Sequence, residues 1–122
     1  MPVVKAIHHY AIVVSNLAES IQWYYDHLDF HLERESAWPE RGLKVVHIVT
    51  DSGVRIEIFE QSGSQPSADV GRDAFEALMI QGSKHIGMQI ENLEAFAAAL
   101  TQKGVTIVHP IMPVAFAPLR NF

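Results

Sequence analysis

Three ionisable residues stand inside runs that are otherwise apolar and strand-like: His9 before Tyr10-Ala11-Ile12-Val13-Val14, Glu57 within Ile56-Glu57-Ile58, and His85 before Ile86-Gly87-Met88. Imidazole nitrogens and carboxylate oxygens suit Zn, Ni, Co, Mn or Fe(II), and two histidines with one carboxylate leave positions open for water or substrate. A divalent ion held this way would grip vicinal oxygens, polarise a carbonyl and stabilise an enediolate while a carboxylate moves the proton. The chain has seven histidines and no cysteine, so this chemistry competes with neither a thiolate nucleophile nor a Cys-type zinc site. Each residue alone also has a plainer reading. A single strand histidine is commonly a satisfied or exposed structural residue, and a Glu in a strand must be paired or lie at an edge.

An internal repeat favours the joint reading. At a fixed offset of 76 positions, without a gap, His9 falls on His85, Asn16 on Asn92 and Leu17 on Leu93. The elements run in the same order in both halves. Residues 5–14 read as a strand, and Asn16 with Glu19 opens a helix whose Leu17, Ile21, Tyr24 and Leu28 form one apolar stripe, ending near 27–29. Strand-like runs follow at 30–37, 43–50 and 54–60, the last two predicted to pair as a hairpin about Asp51-Ser52-Gly53. After a polar connection with a short helix over 73–80, residues 85–91 read as a strand. Asn92 then opens a helix with Leu93, Phe96, Ala97 and Leu100 on one face, stopping at Gly104. Residues 105–109 read as a strand, 110–118 as an extended or broken segment, and 119–122 as the start of another strand. The expectation is one α+β domain over 1–122: a βαβββ module at 3–60, a linker at 61–83, and a second module at 84–122 that lacks its last strands.

Period-two alternation puts His9, Ala11 and Val13 on one face and Tyr10, Ile12 and Val14 on the other, which is assigned to the helix. It likewise groups Arg55, Glu57 and Phe59 against Val54, Ile56 and Ile58. His9, Glu57 and Phe59 therefore share the open face. His8 is expected to face away from His9. His47, in the 43–50 strand, is expected to line the pocket or play a structural part. His27, His31 and His109 read as surface or strand-end residues, and Trp23, Tyr24 and Tyr25 as core or interface. Trp38, in a loop before Pro39, is a candidate pocket wall or lid.

The run from His9 to Phe30 resembles the opening of a vicinal oxygen chelate protein, the superfamily of glyoxalase I, bleomycin-resistance proteins and extradiol dioxygenases. The resembling features are a histidine, an apolar strand, a polar turn followed by Leu, a helix with an aromatic pair, and a Leu-Gly-Phe exit, here Leu28-Asp29-Phe30. His85-Ile-Gly-Met-Gln-Ile-Glu-Asn-Leu with Lys103-Gly104-Val105 has the matching form. The resemblance implies two modules whose curved mixed sheet makes one cup, with His9, Glu57 and His85 as ligands of one divalent ion. It also implies a second-module Glu equivalent to Glu57, a candidate fourth ligand and candidate base, which the offset puts at position 133, outside the 122 residues. Asp29 departs from the family glycine, which matters if that turn needs a positive φ.

The implied activity is that of a glyoxalase I-like lyase or isomerase, with Glu57 as ligand and catalytic carboxylate and proton transfer beside a chelated carbonyl. The alternatives are a drug- or ligand-sequestering protein of the bleomycin-resistance type and an Fe(II) extradiol dioxygenase. A phosphonate-modifying transferase is disfavoured because no basic cluster is present. Fourteen acidic against nine basic residues give a net charge of −5, which disfavours nucleic acid as a partner. An apolar fraction of 48% supports a packed core. No run of about 20 apolar residues crosses a bilayer and no signal peptide is read, so a cytoplasmic chain is expected. Open sheet edges need cover, which favours a homodimer in which His9 and Glu57 of one copy meet His85 of the other.

Overall fold

The computed structural model describes residues 1–113, 120 and 121. The chain is α+β and divides into two compact units, Met1–Ile86 and Gly87–Phe122. In the first unit, strand β1 (Tyr10–Val13) leads into helix α1 (Leu17–Leu28), then β2 (His31–Trp38), a 3-10 turn (Pro39–Arg41), β3 (Leu43–Val49), β4 (Arg55–Gln61) and the short helix α2 (Ala74–Ala77). The second unit holds α3 (Leu93–Gln102), β5 (Met112–Pro113) and β6 (Arg120–Asn121). Among the described residues no helix is long and apolar enough to cross a membrane.

The four strands of the first unit make one open mixed sheet in the order β1-β4-β3-β2. β1 runs parallel to β4, with Ala11 opposite Glu57 and Val13 opposite Phe59. β3 and β4 form the predicted antiparallel hairpin, closed by Gly53 at φ +90° and by the Thr50 amide donating to the Val54 carbonyl at 3.0 Å. One face of this sheet is the core. Val46, Ile48, Ile56 and Ile58 are at most 2% exposed, as is Phe30 at the exit of α1, and Leu17 at its start is also buried. Their alternation with His47 and Glu57 separates an apolar face from a polar one.

The helix starts as the sequence predicts. Asn16 accepts from the Glu19 amide at 3.0 Å, and Asn92 does the same for the Ala95 amide at 3.1 Å in α3. These two N-caps, 76 residues apart, also share an extended backbone, φ/ψ −140°/103° and −131°/90°. A second tie holds α1. The Glu60 carboxylate, on β4, accepts the Leu17 amide at 2.9 Å, satisfying a helix N–H that has no partner within the helix. That bond, with the neighbouring Lys44 ammonium, holds the Glu60 carboxyl below its ordinary value. At the other end, Asp29 stands in the left-handed region at φ 61°, ψ 32°. The turn therefore does require a positive φ, and Asp supplies it in place of glycine.

Three expectations are corrected. Trp38 is not in a loop; it is the last residue of β2, paired with Leu43. Residues 85–91 and 105–109 form no strand. A strand needs a neighbouring backbone to bond, and among the described residues none pairs with either run. The expected strand at 119–122 is represented by β6, with residues 119 and 122 outside those described, as are 114–118 of the extended segment.

Two outcomes follow from α1. Asp29→Gly, which removes the left-handed cost and a negative charge from the helix C-terminus, is expected to raise unfolding free energy by about 0.5–1 kcal/mol, and Asp29→Val to lower it by about 1–2 kcal/mol, both read by urea denaturation. Glu60 has a lowered folded pKa, so its stabilisation is present above the ordinary carboxylate value of 4.5 and disappears as pH falls through the folded value. Glu60→Gln should therefore flatten the acid limb of the stability curve, measured as urea midpoints between about pH 6 and pH 2.5.

Candidate metal centre

β4 presents Arg55, Glu57 and Phe59 on the face opposite the core, and β3 presents His47 directly across from Glu57. The segment just before β1 brings His9 to the same place. His9 Nε2 lies 3.7 Å from Glu57 Oε1, and His47 Nε2 lies 2.6 Å from Glu57 Oε2. A carboxylate only accepts, so the proton of the shorter contact sits on His47 Nε2. The His9 and His47 rings are tilted against each other with centroids 5.5 Å apart. The Glu57 side chain is 21% exposed and that of His47 is 14% exposed, which leaves the carboxylate half-sheltered but reachable.

A residue that sequence reasoning missed completes this face. β2 carries one extra residue where its register against β3 shifts between Leu32 and Arg34, a β-bulge that places Glu33 out of alternation. Glu33 takes a two-pronged grip from Arg55: Nε to Oε1 and Nη2 to Oε2, both 2.8 Å. Its Oε1 also lies 3.8 Å from His47 Nδ1. The Arg55 guanidinium holds the Glu33 carboxyl below the usual carboxylate range, and Glu33 in turn raises Arg55. Arg55 reaches further, with Nη1 3.4 Å from the His8 carbonyl and 3.5 Å from His8 Nε2.

His8 is the second surprise. Its Nδ1 lies 2.9 Å from His9 Nδ1, contrary to the expectation that it faces away. Both residues precede β1, where strand alternation does not apply. The contacts therefore close a ring: Arg55, Glu33, His47, Glu57, His9, His8 and back to Arg55. The register of β3 and β4 was available from the turn, since residues 47 and 57 lie five positions either side of Ser52. The bulge left no such signal.

The pair His9 and Glu57 fits a divalent ion as two of its ligands. Donors bound at about 2.1 Å on a tetrahedral ion sit about 3.4 Å apart, close to the separation here. Among the described residues no group of three or more His, Asp or Glu side chains is gathered to hold an ion. His85 is exposed, outside any strand, and is not drawn to the pair. Phe59 lies two residues along the same face of β4. Trp38 shares that face through its pairing with Leu43, four residues from His47 or about 13 Å along the strand. A cleft of about 590 Å³ lies elsewhere, lined by Pro39, Gly42, Lys44, Glu60 and Ser62. Gly42 is required there: at φ +61°, a Cβ would come within 2.8 Å of the Ser62 Cβ.

The fold is matched by known proteins. Residues 6–120 match the model of the Glyoxalase/Bleomycin resistance protein/Dioxygenase superfamily, and the chain belongs to that superfamily. Among solved structures it is similar to the glyoxalase family protein from Enterococcus faecalis, with 26% identity and a TM-score of 0.75 over 95% of this chain and 85% of that one. It is also similar to the trypanothione-dependent glyoxalase I of Leishmania major, with 19% identity and a TM-score of 0.64 over 94% and 75%. A third is the fosfomycin resistance protein of Listeria monocytogenes, complexed as a mutant with Mn(II) and 1S,2S-dihydroxypropylphosphonic acid: 16% identity, TM-score 0.61, over 93% and 79%. The last two likenesses concern the fold. No curated protein matches the sequence significantly.

Replacing Arg55 with Met should return the Glu33 carboxyl titration toward its ordinary value, observed as an upward move of its midpoint in carboxyl-detected NMR.

Proposed function

We propose that this protein is a metal-dependent, glyoxalase-like enzyme of the lyase or isomerase type, acting on a small substrate that chelates the ion through vicinal oxygens. The observation that carries this reading is the 3.7 Å approach of His9 Nε2 to Glu57 Oε1 on the open face of the sheet. Membership of the superfamily supports it. His9 and Glu57 would hold one divalent ion, Zn, Ni, Co, Mn or Fe, and His85 would complete the set from a second copy of the chain, making the protein a homodimer. The ion, when bound, supplies Lewis acidity toward a substrate carbonyl. The chain's own residues do the rest. His9 presents Nε2 because its Nδ1 is engaged by His8. The Glu57 carboxylate takes a proton beside the carbonyl and returns it to the neighbouring carbon. Phe59 and Trp38 give the same face apolar surface for the body of a substrate and for excluding water.

Elemental analysis and an isomerase assay with a hemithioacetal of an α-ketoaldehyde test the proposal. The wild-type protein should carry stoichiometric metal. His9→Ala should lose it, and Glu57→Gln should lose both metal and turnover, the latter by about 10²–10⁴-fold. Mixing the His9→Ala and His85→Ala proteins should restore binding, because one intact site then forms across each mixed dimer. Undiminished metal in His9→Ala would overturn the reading, and a metal-free wild type that still sequesters small ligands would favour a binding protein instead.

A further inference from the structure

We infer that His47 is a positioning residue for Glu57: its Nε2–H pins Oε2 so that Oε1 is the oxygen turned to His9, and the bulged Glu33 flanks the other side of the ring. The inference rests on the reading of Glu57 as a ligand given above. Three observations on the first unit carry it. The 2.6 Å bond joins residues that stand directly opposite on β3 and β4, so the backbone register holds the two side chains together. The His47 side chain is the most sheltered member of the ring at 14% exposed, so it has little freedom to turn away. Finally, His47 Nδ1 faces Glu33 Oε1 at 3.8 Å, and Glu33 is itself fixed by both prongs of Arg55.

A carboxylate on a strand has two equivalent oxygens and free rotation about its last bonds. Tying one oxygen to a fixed donor removes that degeneracy, and the partner of a ligating carboxylate also sets how strongly it donates. His47 does not join His9 and Glu57 as a third ligand, since its Nε2 proton is spent on Oε2 and no three-ligand group exists among the described residues. It acts through Glu57. A mutation there should change affinity without removing a ligand.

Co(II) titration of the full chain, followed by visible absorption and calorimetry, tests this. Wild type should bind, and Glu57→Gln should not. His47→Ala should bind about 10–100-fold more weakly, with a changed Co(II) spectrum. His47→Gln, whose side-chain amide can donate from a similar place, should recover most of that loss; it also keeps the measurement informative if the alanine variant fails to fold. Wild-type affinity and spectrum in His47→Ala, with binding lost in Glu57→Gln, would overturn the role of His47 and leave the ligand reading standing. Equal weakening in His47→Ala and His47→Gln would also overturn it, because packing and not the hydrogen bond would then be responsible. Unchanged binding in Glu57→Gln would overturn both.

Discussion

The pairing of β3 with β4 is the constraint from which the rest of the first unit follows. Its register sets Val46 opposite Ile58 and Ile48 opposite Ile56 on one face, and His47 opposite Glu57 on the other. A slip of β4 by one residue would expose Ile56 and Ile58, now at most 1% exposed, and turn the Glu57 carboxylate into the core. Each apolar side chain brought out costs about 1.5–3 kcal/mol, and a carboxylate buried without a partner costs several more. The core thus selects one alignment, and the histidine–carboxylate bond is a by-product of that selection. β4 has a further part, because Glu60, beyond the buried isoleucines, reaches the Leu17 amide and fixes where α1 begins.

The open face is organised as a closed circuit, not as a set of separate pairs. Arg55 is its junction, gripping Glu33 on one side and reaching His8 on the other. From these two residues the contacts run through His47 and His9 to meet at Glu57. Exposed ion pairs taken singly contribute little to stability. Their value here is orientation: each ring nitrogen or carboxylate oxygen is given a neighbour that fixes which atom is left for chemistry. Such support is what separates a precise site from a loose one.

Much of this was legible in the sequence, and for identifiable reasons. The caps Asn16 and Asn92 could be read because capping is local, and the stripes of α1 and α3 because burial follows the helical period. The place of Glu57 on the open face followed from strand alternation anchored by buried Ile56 and Ile58, and His9 meets it from the segment just before β1. The parts that could not be read are those where alternation stops. Glu33 is offset by a bulge that nothing in the run His31-Leu32-Glu33-Arg34 announces. His8 lies before the first paired residue, so its ring is placed by Arg55 and His9 and not by the strand. Residues 85–91 carry a good strand pattern, yet a pattern describes which face is apolar and says nothing about whether a neighbouring backbone is there to bond.

The bulge in β2 separates evolving the fold from evolving the site. Leu32 pairs opposite Ile48 and Arg34 opposite His47, so the flanks keep their faces on either side of the extra residue. Position 33 is therefore an insertion that a lineage can gain or lose without turning any other side chain over. With it, the sheet acquires a carboxylate beside His47 and a clamp for Arg55; without it, the same sheet would remain and the guanidinium would be released to meet an anion from solution. One codon, at a point where the core is indifferent, is enough to change the charge that this face offers.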